Sequence, residues 1–158
     1  MSVMKLGGLI CLLLVAYFLS RAYRNFREER LCELEAFSRA LGVVRENVQV
    51  YHTFRPLPCT EEIAPLVRLG FRGEEDVISD LLAVVPKMNL LPEEKKKFSQ
   101  MLHTLGDGNL ESEKEKVENI IKNVKSVLQK EEKEGKTSVD TVRIVLFTIA
   151  LALVILLL

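Results

Sequence analysis

Apolar and polar positions divide the chain into three stretches. Residues 6–20 (LGGLICLLLVAYFLS) and 144–158 (IVLFTIALALVILLL) are almost wholly apolar. Between them apolar residues recur at helical spacing. Leu34, Phe37, Leu41, Val44, Val48 and Tyr51 follow a 3-4-3-4-3 pattern, which is the seam of a helical bundle. The pattern predicts a helix from about Glu28 to Phe54. Gly42 lies inside it at a cost of about 1 kcal/mol. Joined to the first apolar run without a break, this makes one helix of about 50 residues, about 75 Å long.

Arg55-Pro56-Leu57-Pro58 ends that helix, because proline cannot continue the hydrogen-bond ladder and disfavours helix at the residue before it. Three short helices are predicted next. Thr60 is the expected N-cap of the first, which runs to about Leu69 with Ile63, Leu66 and Val67 on one face. The second runs from Glu74 to Val85 and buries Val77, Ile78, Leu81, Leu82 and Val85. The third runs from Glu93 to Leu105 behind Pro92, with Phe98, Met101, Leu102 and Leu105 inward and Gly106 as its C-cap. After an Asp107-Gly108-Asn109 turn, a last amphipathic helix covers Leu110 to about Glu134. Leu110, Lys114, Val117, Ile121, Val124 and Leu128 lie on one line, and pairs such as Glu118–Lys122 lie opposite. Gly135 is expected to loosen it, and Thr137 or Ser138 to cap a final helix. No segment alternates as a strand does. The fold class is all-α: an antiparallel bundle of about five helices.

The two ends predict membrane spans. The last fifteen residues hold one polar side chain, Thr148, whose hydroxyl a helix can direct to the preceding turn. They rise about 22 Å, against a hydrocarbon core of about 30 Å, so Val139 and Val142 are expected to extend the span while Arg143 snorkels. A buried core helix is the alternative. The first run, between Lys5 and Arg21, also matches a secretory signal. However, no small-x-small cleavage site follows, and Tyr17, Phe18, Tyr23 and Phe26 fit an interfacial aromatic belt. The expected organisation is an N-terminal span over residues 1–22, a cytoplasmic bundle over 23–136 and a C-terminal span over 137–158.

Charge sets the direction of these spans. The chain has 22 Lys and Arg against 22 Asp and Glu, and every acidic residue lies between Glu28 and Asp140. Arg21, Arg24, Arg27 and Arg30 follow the first apolar run, and Lys130, Lys133, Lys136 and Arg143 precede or open the second. By the positive-inside rule the middle faces the cytoplasm and both termini face out, the topology of a two-pass protein of the cell membrane. With no basic excess and no Trp, nucleic-acid binding is not expected.

Candidate chemistry is sparse. His52 and His103 are the only histidines, and neither belongs to a ligand-like set. Cys11, Cys32 and Cys59 are scattered, without the spacing of a disulfide framework or zinc site. No phosphate-binding loop and no nucleophile–base arrangement is present. No catalytic residue, cofactor or metal is therefore expected. Two charged clusters are candidate partner surfaces: Glu61 and Glu62 near Glu74-Glu75-Asp76, and the run Glu93, Glu94, Lys95, Lys96, Lys97 at the far end of the bundle.

This layout resembles the stage III sporulation protein AB family of spore-forming Firmicutes. Tyr51-His52-Thr53-Phe54-Arg55-Pro56-Leu57-Pro58 is similar to the family's Tyr-x-x-Thr-Pro-Leu-Pro segment, with Phe54 and Arg55 intervening. His103-Thr104-Leu105-Gly106 is similar to its Thr-Leu-Gly turn. There the family continues with Ser-Asp and then Gln, where this chain has Gly108, Asn109 and Glu113. The resemblance implies a soluble domain similar to the type II secretion F-family platform fold. It also implies a non-enzymatic scaffold of the sporulation channel complex between mother cell and forespore. Its partners would be a hexameric ATPase (stage III sporulation protein AA), other membrane subunits, membrane lipid and further copies of the chain in a homo-oligomer. The alternatives are a membrane-anchored adaptor or sensor unrelated to secretion, and a small membrane enzyme.

Overall fold

The computed structural model describes residues 3–51, 53–74, 76–106 and 108–157. His52, Glu75, Asp107 and Leu158, which enter the expectations above, lie outside the described residues, as do the side chains of Lys5, Tyr51 and Lys136. The described residues form five α-helices: α1 (Val3–Tyr51), α2 (Ala64–Arg68), α3 (Val77–Val84), α4 (Pro92–His103) and α5 (Leu110–Leu157). Short 3-10 turns at Glu61–Ile63 and Val85–Lys87 join them, and no strand occurs among the described residues. The helices form two compact units, one of Glu29–Lys130 and one of Met1–Glu28 with Glu131–Leu158.

The 29–130 unit contains the apolar core. Leu34, Phe37, Leu41 and Val44 of the predicted α1 seam are fully buried there. They share a cluster with Leu66 of α2, Val77, Leu81 and Val84 of α3, Phe98 and Leu102 of α4, and Val117, Ile120, Ile121 and Val124 of α5. The Phe37 and Phe98 rings stand 5.9 Å apart and tilted, within the range in which aromatic pairs attract.

Local chemistry changes three predicted boundaries. The helix expected from Thr60 to Leu69 is a 3-10 turn followed by α2. Pro65, in the first turn of α2, has no N–H to return to Glu61, and Ala64 N–H bonds the Glu61 carbonyl at 3-10 spacing instead. Thr60 occupies the cap position but makes no side-chain bond. The second short helix begins at Val77, three residues later than expected, because the Asp76 carboxylate accepts the Ser79 N–H at 3.0 Å and caps it there. Finally, α5 runs unbroken through Gly135. Neither Thr137 nor Ser138 acts as a cap. The Ser138 hydroxyl instead bonds Tyr23 at 2.7 Å, and the Thr137 carbonyl accepts the Thr141 hydroxyl.

The loop between α1 and α3 is pinned at Gly73. Its φ is +68°, and a Cβ there would run into the Leu57 carbonyl. Leu57 N–H bonds the Gly73 carbonyl at 2.9 Å, while Gly73 N–H bonds Asp80 Oδ2 at 2.8 Å. Glycine is required at this position both by its backbone angle and by the close approach.

In the unit of 1–28 with 131–158, the two helices run antiparallel. The Tyr23–Ser138 bond is followed, one turn along α1 and two turns back along α5, by the Arg27–Glu131 ion pair at 2.9 Å. Ala16 and Ala150 are the buried apolar residues among those described in this unit. Among the described residues, fourteen of the seventeen large hydrophobic side chains that stand exposed belong to it, including Phe18, Ile144 and Ile155, each more than 60% exposed. Thr137–Ile155 is the one helical stretch among the described residues long and apolar enough to cross a membrane.

Candidate functional site

The run from Glu93 to Lys97 opens α4, and its five residues divide sharply. Leu91 is the N-cap and has no side-chain acceptor. Glu94, three residues on, accepts the Leu91 N–H at 2.9 Å, which is half of a capping box. The same carboxylate takes Arg30 Nη2 of α1 at 2.9 and 3.1 Å. Both side chains are largely buried, at 7% and 18% exposure. Lys95 Nζ donates to the Pro86 carbonyl at 2.7 Å, closing the 3-10 turn that precedes α4. Glu94 and Lys95 therefore hold the fold. Glu93 and Lys96 face solvent, and the exposed Lys97 reaches Asn123 of α5.

Glu61 and Glu62 are exposed on the 3-10 turn. Glu62 lies 3.7 Å from Arg39 of α1, a solvated pair worth at most about 1 kcal/mol. Asp76 is occupied as the α3 cap, and Glu74 is exposed. Among the described residues, no hydrogen bond or ion pair joins this group to the 93–97 run.

Two polar anchors went unrecognised in the sequence. Glu33, one turn along α1 from Arg30, is buried beside the seam. It accepts the Asn89 backbone N–H at 2.6 Å and the Asn89 side-chain amide at 2.9 Å. Burial pushes its carboxyl above the ordinary range, and the two Asn89 bonds offset only part of that shift. The second anchor is Glu113, in the first turn of α5. It accepts the Gly106 N–H at 2.9 Å and Lys116 at 2.8 Å, and Lys116 also donates to the Thr104 carbonyl at 2.7 Å. Burial alone would raise the Glu113 carboxyl. The Lys116 side-chain bond, the Gly106 and Gly108 N–H groups and the Lys116 charge outweigh it and hold the group low. Gly106 has φ +101°, so the turn needs glycine and α5 staples it. The signal for Glu33 was position: it and Arg30 precede Leu34 and Phe37 on the inward arc of the helix, where a charge must find a partner.

The Thr104-Leu105-Gly106 turn, with α4 before it and the long α5 after it, lies within residues 75–158, which match the family model of stage III sporulation protein AB. The chain belongs to that family. In this stage III sporulation family member the matched residues include α3, the Glu93–Lys97 run, the stapled turn and the apolar part of α5. The Tyr51–Pro58 segment precedes the matched residues. No curated protein and no solved structure matches the chain. Among the described residues, no group of three or more His, Cys, Asp or Glu is arranged to hold a metal ion.

Proposed function

We propose that this family member is a non-enzymatic, two-pass membrane scaffold of the sporulation channel complex. Its 29–130 unit is cytoplasmic and docks a secretion-type ATPase, stage III sporulation protein AA, alongside other membrane subunits. The observation that carries the membrane part is the segregation of exposed apolar side chains. Among the described residues, fourteen large hydrophobic side chains are exposed in the unit that contains both apolar runs. A helix pair of that composition loses its exposed apolar area to water unless lipid covers it. The first run then spans as the second does, with Arg21 and Arg143 at the cytoplasmic surface.

Cysteine labelling tests the topology. Cys59 and Cys32 are exposed in the 29–130 unit, and Cys11 lies in the first apolar run. An impermeant maleimide should reach Cys59 only after the membrane is opened. Labelling of Cys59 on intact cells would remove the topology.

The exposed part of the 93–97 run is the proposed ATPase surface, with Glu61 and Glu62 as the second candidate. Lys96→Glu with Lys97→Glu should abolish capture of the ATPase while leaving the helical signal intact. Unchanged capture removes that surface and moves the test to Glu61→Lys with Glu62→Lys. Glu94 and Lys95 are unsuitable for such a test because their replacement damages the fold.

A further inference from the structure

The unit of 1–28 with 131–158 has a cleft that the scaffold reading does not use. Tyr17, Ser20, Arg21 and Arg24 of α1 line one side, and Val139, Asp140, Arg143 and Phe147 of α5 line the other. Its volume is about 470 Å³. Three guanidinium groups face a single carboxylate there. Arg24 is shared with Glu28 at 3.1 Å on the next turn, an exposed pair. Arg21 and Arg143 have no ion-pair partner among the described residues. The cleft therefore keeps a net positive charge even when Glu28 is included.

Its position adds a second argument. Asp140 and Arg143 lie inside Thr137–Ile155, the stretch apolar enough to span. Both sit in its first two turns, at headgroup level, where an arginine reaches a lipid phosphate by snorkelling. Phe147 and Tyr17 give the cleft apolar walls on the side of the hydrocarbon runs, and Ser20 adds a hydroxyl. A pocket with guanidinium groups at one end and apolar walls at the other matches a phosphodiester attached to acyl chains. Arginine binds such a phosphate through two parallel N–H bonds, with charge assistance.

We infer that the cleft between Arg21 and Arg143 binds the headgroup phosphate of an anionic phospholipid. The inference rests on the membrane reading above. Bound lipid neutralises the two unpaired arginines, covers Phe147 and fixes α1 against α5 at the cytoplasmic surface. Asp140 opposes the phosphate and limits the affinity.

The test uses the full chain in two steps. Flotation with phosphatidylcholine vesicles reads membrane insertion alone. Native mass spectrometry in detergent then compares binding of phosphatidylglycerol and phosphatidylcholine, with inorganic phosphate as competitor. Phosphatidylglycerol should bind about tenfold more tightly, the worth of one charge-assisted bond. Arg21→Gln with Arg143→Gln should remove that preference, and Asp140→Asn should strengthen it. This opposite response separates a ligand site from general damage. Equal binding of the two lipids by a chain that floats overturns the lipid site and leaves the membrane reading standing. A chain that does not float overturns both. Displacement of phosphatidylglycerol by inorganic phosphate at matched concentration would identify a free-anion site and overturn the lipid assignment.

Discussion

Glu33 grips Asn89 with both carboxylate oxygens: Oε2 takes the backbone N–H at 2.6 Å and Oε1 the side-chain amide at 2.9 Å. A residue in the middle of α1 thereby fixes the turn that leads into α4. Removing the carboxyl leaves the Asn89 donors without a partner. Glu33→Ala should cost about 1–3 kcal/mol, read from denaturant unfolding of the full chain in detergent. Glu33→Gln keeps an acceptor and should cost much less.

The same residue gives a pH dependence. Its folded carboxyl titrates above the ordinary value of 4.5, so the folded protein binds that proton more tightly than the unfolded chain does. The resulting stability is full below the unfolded value and is lost as pH rises through the raised folded one. Wild-type unfolding free energy should decline over that interval, and in Glu33→Gln this part of the decline should vanish. An identical slope in both proteins would contradict the assignment.

Glu113 has the opposite sign. Its carboxyl is held low, so its contribution is full above the unfolded value and is lost as pH falls through the folded one. Glu113→Gln should flatten the acid limb of the stability curve. It should also loosen the Gly106 turn, seen as faster amide exchange at Gly106 and Gly108. Unchanged exchange would show that the staple is dispensable.

Among the described residues of the 29–130 unit, Arg30 and Glu94 form a largely buried ion pair, and Glu94 also caps α4. Removing one partner strands a buried charge, so Arg30→Ala should destabilise by about 3–5 kcal/mol. The double variant Arg30→Ala with Glu94→Ala should cost less than the sum of the two, by about 1–3 kcal/mol. Strict additivity would mean that the pair contributes nothing beyond its separate contacts.

Two glycines should respond in opposite directions to alanine. At Gly42, within α1, an added methyl meets open space, so Gly42→Ala should stabilise by up to about 1 kcal/mol. At Gly73 the methyl meets the Leu57 carbonyl and the backbone is left-handed, so Gly73→Ala should destabilise by more than about 1 kcal/mol. Thermal melts of both variants check the pair, and a stabilised Gly73→Ala would refute the pinning role.

The helical seam was legible because period and burial coincide: Leu34, Phe37, Leu41, Val44 and Val48 were read as inward and are buried. The break at Arg55–Pro58 and the glycine after α4 were legible for the same local reason, since Pro and Gly act through their own backbone. Boundaries set by competition were not. Asp76 captured the start of α3 from Glu74, and Pro65 split α2 from its lead-in turn. The run EEKKK read as one candidate partner surface, although two of its members, Glu94 and Lys95, turn to partners within the fold. Glu94 meets Arg30 from 64 residues away, and Glu33 meets Asn89 across 56. Composition carries no trace of such pairings. The Arg21–Arg143 cleft was hidden in the same way. Its arginines served to orient the spans, and only the pairing of α1 with α5 brings them to one place.

The Tyr23–Ser138 bond joins residues 115 positions apart. Closing a flexible loop of that length costs about 4 kcal/mol in chain entropy. The whole of residues 29–130 lies within the loop. Once that segment has condensed around its own core, the loop is no longer flexible, and most of the closure cost has been met by contacts elsewhere. Assembly of the terminal helices thus depends on the order of events during synthesis. A variant that slows condensation of the core, such as Phe98→Ala, should delay the meeting of α1 and α5 even though Phe98 belongs to neither.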